Sequence, residues 1–364
     1  MIKPGIELKR DLNAWAAASI VIGTVIGSGI FLVPTTMIQR AGSVRMVFVV
    51  WIVGGLLSLA GALSYAELAA ALPEAGGEYV FLREAYGPVW GFLYSWTQMW
   101  VAKSGSIATL ATGFFLYCAN FFPWFDTVFY RLPLPLGPRG GPLEFRYGQV
   151  GAIALILALA WLNYFGVKLG GGIQTAVTAL KVALIALIAA FFLDYAAAAW
   201  ISVHSSPEIK KVMHTVSRVG DWPAHVVVGL IGIAVAFAAK SEVWMRIFLA
   251  MLIALALAGV TGRALKFATG RARPSVKTEI HWNGPKFSSK YHAFPSGHVA
   301  ASAAFFAALF LARKKIGAPL LLIPIVIAVS RMVVGAHYLS DVTFAALLGV
   351  ICAFLTARWL SIRN

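Results

Sequence analysis

The sequence predicts an all-α polytopic membrane protein of about ten transmembrane helices. Composition points there first: of 364 residues, 60% are hydrophobic and 12% are charged. Mean hydropathy is +0.81. Apolar windows long enough to cross hydrocarbon also recur from end to end, separated by short polar turns. A soluble domain of this size would carry about twice the charge.

Thirty Lys and Arg stand against 14 acids, a formal charge of +16. Such an excess can signal nucleic acid, but no basic, aromatic-interleaved soluble segment exists to bind one. The basic residues flank the apolar windows instead, where they hold the cytoplasmic side and meet anionic lipid. The bilayer is therefore the expected partner and nucleic acid is not. Cys118 and Cys352 both fall in apolar runs, so buried free thiols are expected, with no disulfide. No metal site and no cofactor is expected, and a homo-oligomer is left open. No cleavable signal peptide is visible, because the start MIKPGIELKRDLNAW is polar and leads straight into a span.

In chain order, spans are expected near 14–36, 46–70, 88–118, 149–166, 173–193, 223–239, 246–264, 297–312, 317–335 and 340–358. The first reads IVIGTVIGSGIFLVP. Gly23, Gly27 and Gly29 with Pro34 make a poor continuous helix. Such a break either exposes backbone to a small ligand or allows close packing through small residues. Segment 194–222 is mixed polar and apolar and is expected to form a short amphipathic interfacial helix. His204, His214 and His225 lack partners at ligand spacing and are read as interfacial polar groups.

Lys3, Lys9 and Arg10 at the start, and Arg358 and Arg363 at the end, put both termini in the cytoplasm. Arg40 and Arg45 depart mildly from that rule. Counting spans from an inside start leaves 194–222, 265–296 and 336–339 on one outer face, periplasmic if the membrane is a bacterial inner membrane.

Those outer segments hold the chemistry. Ser330–Asp341 reads SRMVVGAHYLSD. His337 and Asp341 are four apart, so on a helix they would share a face and hydrogen-bond. A carboxylate on one imidazole nitrogen fixes the tautomer and frees the other as nucleophile or base. Lys266–Pro274, KFATGRARP, places Lys266 and Arg273 seven apart. A lipid-headgroup patch would explain its charge but not that spacing. A phosphate carries several charged oxygens, and Arg supplies the forked donors that suit them. Pro295–His298, PSGH, is expected to open a helix with Pro295 in its first turn. Free amides and the positive helix end there suit an anion at Ser296 and Gly297.

Together the three segments resemble the signature of the type-2 phosphatidic acid phosphatase family: Lys, six residues, Arg-Pro; Pro-Ser-Gly-His; Ser-Arg, five residues, His, three residues, Asp. All three match without a gap. The resemblance implies a metal-independent phosphoric monoester or diphosphate hydrolase acting on a lipid phosphate. His337 would be the nucleophile, Asp341 its orienting partner and His298 the general acid, with Lys266, Arg273 and Arg331 on the phosphoryl oxygens and a phosphohistidine intermediate. Candidate substrates are undecaprenyl or another polyprenyl diphosphate, phosphatidic acid and phosphatidylglycerol phosphate.

Residues 8–190 carry a second resemblance. GTVIGSGIFLVP, then LSYAELAAALPEAGGEYVFLREAYGPVWGFLYSW, then NYFGVKLGGGIQTAVTALKV, resemble in order the first five helices of the amino acid–polyamine–organocation transporter superfamily. That likeness implies an amino-acid-binding backbone at Gly27, Ser28 and Gly29. Transporters of this type pair two inverted five-helix repeats around their site, and only the first repeat is recognisable here. Those residues are therefore expected to be vestigial. The expected domains are a permease-like region at 1–190 and a lipid phosphatase domain at 191–364 that borrows helix 173–193 as its first span. An amino acid transporter or half-transporter, and a non-catalytic lipid-phosphate binder, stay open as alternatives.

Overall fold

The computed structural model describes residues 13–27, 29–134, 141–276, 278 and 280–362. The chain divides into two compact units, Met1–Ala179 and Leu180–Asn364. It is a helical membrane protein. Among the described residues, six helices are long and apolar enough to cross a membrane, and a pair bent by 45° raises that to seven. The other apolar windows fall on shorter or interrupted helices.

In the first unit, α1 (Ala14–Val25) starts on an Asn13 cap whose side chain accepts the Ala16 amide at 2.9 Å. It stops at Ile26, and α2 (Gly29–Ala41) follows. The expected interruption of the first span thus falls between Val25 and Gly29. Of the three residues singled out there, Gly27 is exposed, Gly29 opens α2, and Ser28 lies outside the described residues. The apolar α3 (Val44–Ala71) exposes Ile52, Leu56, Leu57 and Leu63, as a lipid-facing helix must. Then come α4 (Glu78–Tyr86) and α5 (Pro88–Thr97), followed by a π-helical turn (Gln98–Lys103) that runs straight into α6 (Ser104–Cys118). Both cysteines are free thiols.

An antiparallel hairpin, β1 (Val128–Leu132) with β2 (Leu143–Arg146), departs from the purely helical expectation. Aromatic and alternating residues on each side of a Pro- and Gly-rich stretch favour it. Arg146 ties it down through Asp126 at 2.5 Å and Glu144 at 3.0 Å. Helix α7 (Tyr147–Tyr164) closes this sequence of elements, and α8 (Val167–His204) begins in the first unit.

Helix α8 corrects one expectation: it continues past residue 193 to His204, through the run Ala196–Ala199 that strongly favours helix. Only then does the expected amphipathic helix form, α9 (Pro207–Val219), capped by Ser206 with proline at its first turn. It bends into α10 (Trp222–Ala238), whose cap is Asp221.

The core of the second unit is built by α11 (Glu242–Thr269), α12 (Gly297–Ala312) and α15 (Leu339–Trp359). Ala254, Ala258, Ala300, Ala304, Ala308, Ala345 and Ala353 are fully buried, so backbones approach closely, and Phe305, Ile247 and Met251 fill the remaining gaps. Short α13 (Lys314–Leu320) and α14 (Leu322–Val333) complete the bundle. Helix α11 ends at Gly270, in the left-handed conformation at φ +53°. A Cβ there would collide with the Gly284 carbonyl, so glycine both stops the helix and admits the loop that follows.

Candidate active site

Three polar segments meet at one end of the second unit. The first follows Gly270. Its backbone is pinned by Ala272 N–H to the His281 carbonyl at 2.8 Å, Arg273 N–H to the Lys290 carbonyl at 3.0 Å, and Ala293 N–H to the Arg271 carbonyl at 3.0 Å. The second is the start of α12. The third is the link between α14 and α15.

His337 lies in that link and not on a helix, which corrects the expected shared face with Asp341. Helix α14 ends at Val333, Gly335 turns the chain at φ +68°, and α15 begins only after Tyr338. His337 Nδ1 is 3.8 Å from Asp341, beyond hydrogen-bond reach. Nδ1–H instead donates to the Ala293 carbonyl at 2.6 Å. The tautomer is fixed as expected but by a different acceptor, leaving the lone pair on Nε2. His337 is 2% exposed. Burial pushes its pKa down to about 4, and the cations Lys266 and Arg331 act in the same direction.

Asp341 is fully buried and otherwise engaged. It accepts from Tyr338 N–H at 2.7 Å and from Arg271 Nη1 at 2.5 Å. Arg271 also reaches Ser340 Oγ at 2.7 Å and Asp194 of α8 at 2.7 Å. Asp194 accepts in addition from Ser340, N–H at 2.8 Å and hydroxyl at 2.6 Å. The guanidinium of Arg271 lies over the rings of Tyr338, Trp282 and Phe191, 4.5–5.4 Å from their centroids. One buried cation thus joins α8, the loop after α11 and the start of α15. Sequence reasoning counted Arg271 only as loop charge and gave Asp194 no role. An acid inside FFLDYAAAAW was the available signal.

The cations assigned to phosphate stand around the His337 side. Lys266, Arg273 and Arg331 act on one another electrostatically. A Cβ on Gly297 would sit 3.1 Å from Lys266 Nζ, so glycine leaves the amine room at the start of α12. Arg331 donates Nη1–H to Ser217 Oγ of α9 at 2.6 Å. Its Nε is buried with no hydrogen-bond partner, as are Arg273 Nε and Ser296 Oγ.

The start of α12 departs from expectation in detail. Pro295 precedes the helix, Ser296 is its cap, and the Ser296 hydroxyl makes no capping bond. Ser296 N–H donates to the Asp341 carbonyl at 3.2 Å, tying the two segments. The first-turn amides of α12 have no acceptor within the helix and add their dipole to the cations. His298, on that turn, lies within electrostatic reach of Lys266, Arg331, His337 and Asp221.

Chemically, this set can seat a tetrahedral anion among cations and amides, with one imidazole fixed for attack and another at the rim. A cavity of about 470 Å³ touches His337, lined also by Asp194, Lys210, His214, Pro274 and Tyr338. A second, apolar cavity of about 530 Å³ lies among α9, α10, α12 and α14, lined by Val219, His225, Phe305, Phe306, Val326 and Ile327 among others.

A family model described as amino acid permease matches residues 12–269, and one for the PAP2 superfamily matches residues 247–364. The two matches overlap along α11. The serine/threonine exchanger SteT of Bacillus subtilis is 36% identical over 184 residues, 50% of this chain and 38% of that one. The human large neutral amino acids transporter small subunit 2 is 35% identical over 50% of this chain and 32% of its own. The human b(0,+)-type amino acid transporter 1 is 33% identical over 50% and 34% respectively. The chain spans about a third of the length of these curated relatives. Among solved structures, a transmembrane PAP2-type phosphatidylglycerolphosphate phosphatase from Bacillus subtilis aligns at 22% identity and TM-score 0.40, over 50% of this chain and 94% of that one. LpxE of Aquifex aeolicus aligns at 23% and 0.37, over 46% and 95%.

Proposed function

Since the chain belongs to the amino acid permease family over residues 12–269 and ends in a PAP2-superfamily domain over 247–364, we propose that it works as a membrane phosphatase whose chemistry resides in the second unit. The substrate is a lipid phosphate or polyprenyl diphosphate, hydrolysed on the outer face, periplasmic in a bacterial inner membrane, with both termini cytoplasmic. One observation carries the reading. Ser296 Oγ, Arg273 Nε and Arg331 Nε are among the buried atoms without partners, and the Nε2 lone pair of His337 is free. Orphaned buried donors are costly, and a phosphate would satisfy all three.

In the proposed reaction, the Nε2 lone pair of His337 attacks phosphorus and forms a P–N bond. The P–O bond to the leaving group breaks, and His298 gives that oxygen a proton. Water then attacks the phosphohistidine while His298 takes a proton back. The P–N bond breaks, releasing phosphate and free His337. Lys266, Arg273, Arg331, Ser296 and the Gly297 amide stabilise the equatorial oxygens, without a metal ion. Asp341 acts through the Tyr338 backbone and Arg271, holding the His337 loop in register. Apolar walls such as Phe305, Phe306 and Val326 suit an acyl or prenyl tail.

Asp194 and Arg271 support the proposal that α8 serves as the phosphatase domain's first span. The experiment is phosphate release from a panel of lipid phosphates in chelator, wild type against His337→Ala. Release by the wild type alone supports the reading, and equal release by both rejects it.

A second reading is amino acid transport, favoured by the permease match and the break between α1 and α2. With only one five-helix repeat recognisable, it needs a second copy to complete the site. Labelled amino acid bound in liposomes and lost in Gly29→Leu would support it.

A further inference from the structure

We infer that Asp221 is the positioning residue that makes His298 a competent proton donor, an inference that rests on the phosphatase reading above. His298 Nε2 is 3.3 Å from Asp221 Oδ1. Asp221 belongs to none of the three motifs and comes from the turn between α9 and α10.

The argument is one of charge. A general acid must carry its proton before the leaving oxygen needs it. His298 stands within reach of Lys266 from α11, Arg331 from α14 and His337 from the link before α15. Burial opposes an imidazolium there first, and the two cations add to it. Asp221, from the α9–α10 turn, is the one carboxylate acting on His298 among these neighbours. It supplies the opposite sign to His298 and acts on Arg331 as well.

The carboxylate is held for this task. Its Oδ1 accepts from Trp222 N–H at 2.8 Å, at the amino end of α10, where the helix dipole favours negative charge. The backbone carbonyl of the same residue accepts from His225 Nδ1–H at 3.0 Å, which secures the turn. With Nε2 on the Asp221 side, at 3.3 Å, Nδ1–H is left to reach the leaving oxygen. In the forward step the proton passes from Nδ1 to that oxygen as the P–O bond breaks, and Nε2 keeps its own proton on the side of Asp221. In the second step Nδ1 recovers a proton from the attacking water.

The competing explanation is that Asp221 only caps α10. Asp221→Asn separates the two, because asparagine caps a helix as well as aspartate does but carries no charge. The full chain in nanodiscs is assayed on phosphatidic acid and on p-nitrophenyl phosphate. The glyceride alkoxide is a poor leaving group that needs a proton. The nitrophenolate departs without one.

Asp221→Asn is expected to lower kcat on phosphatidic acid roughly 10- to 100-fold, with KM and the rate of the first-turnover burst of nitrophenolate, which reports the phosphorylation step alone, within about threefold of wild type. The alkaline limb of kcat on phosphatidic acid should move to lower pH. A nitrophenolate burst slowed as much as the phosphatidic acid rate, or an unchanged phosphatidic acid rate, would overturn the inference while leaving the phosphatase reading intact. A wild type that releases phosphate from neither substrate overturns both. Thermal melting of the variant checks that the cap has survived, with an unchanged midpoint expected.

Discussion

His337 donates its Nδ1 proton to the backbone carbonyl of Ala293, 2.6 Å away. An acceptor that cannot titrate holds the neutral imidazole in one tautomer. Ala293 is pinned in turn by the Arg271 carbonyl, 3.0 Å from its N–H, so the loop after α11 sets the aim of a residue 44 positions further along the chain.

The pH dependence follows from burial of His337, which lowers its pKa to about 4. A histidine with a lowered pKa keeps its neutral, nucleophilic form above that value and loses it on protonation below. Turnover of p-nitrophenyl phosphate, which needs no acid, should therefore stay flat from neutrality to about pH 5 and fall as pH drops through about 4. An acid limb centred near the ordinary histidine value would contradict this.

Ser296 offers a test of the anion site. Its hydroxyl is fully buried and unpartnered, so Ser296→Ala removes a desolvated group that gains nothing in the empty site. Stability should hold or rise slightly, while inhibition by orthophosphate weakens about tenfold. Weakened folding with unchanged inhibition would mean the hydroxyl serves the core instead.

Arg271 is a structural cation between two buried carboxylates. Arg271→Ala should cost about 3–5 kcal/mol, because it strands Asp194 and Asp341 without their counter-charge. Asp194→Ala should cost less, since Arg271 keeps Asp341. The double variant should fall well short of the sum. Chemical denaturation in detergent reads all three, and strict additivity would contradict a shared network.

Arg331 holds Ser217 of the amphipathic helix α9 through Nη1, at 2.6 Å, and leaves Nε for an anion. Arg331→Lys keeps the charge but loses the fork. KM for a lipid phosphate should rise about tenfold or more, and Ser217→Ala should raise it less. Unchanged KM in both would remove Arg331 from the anion site.

The sequence made the helices and the three motifs legible, because apolar length and motif spacing are local properties. It did not reveal the partners of those motifs. Asp194 and Arg271 are 77 residues apart, and neither belongs to a periodic pattern. Asp221 belongs to none of the three motifs. The four-residue spacing of His337 and Asp341 suggested a helix face, but Gly335 and the Tyr338 cap put His337 in a turn. Helix α8 ran past its expected end because Ala196–Ala199 continue it where hydropathy alone ends the span. The hairpin at β1–β2 was hidden by strands of only 5 and 4 residues.

The central claim is that His337 itself carries the phosphoryl group. Incubating the purified chain with phosphorus-32-labelled lipid phosphate, quenching in alkali and locating the label decides it most directly. Label in an acid-labile, alkali-stable bond on the peptide containing His337, absent from His337→Ala, is the predicted result. Phosphate released at full rate by His337→Ala, or label found on a different residue, would contradict the account.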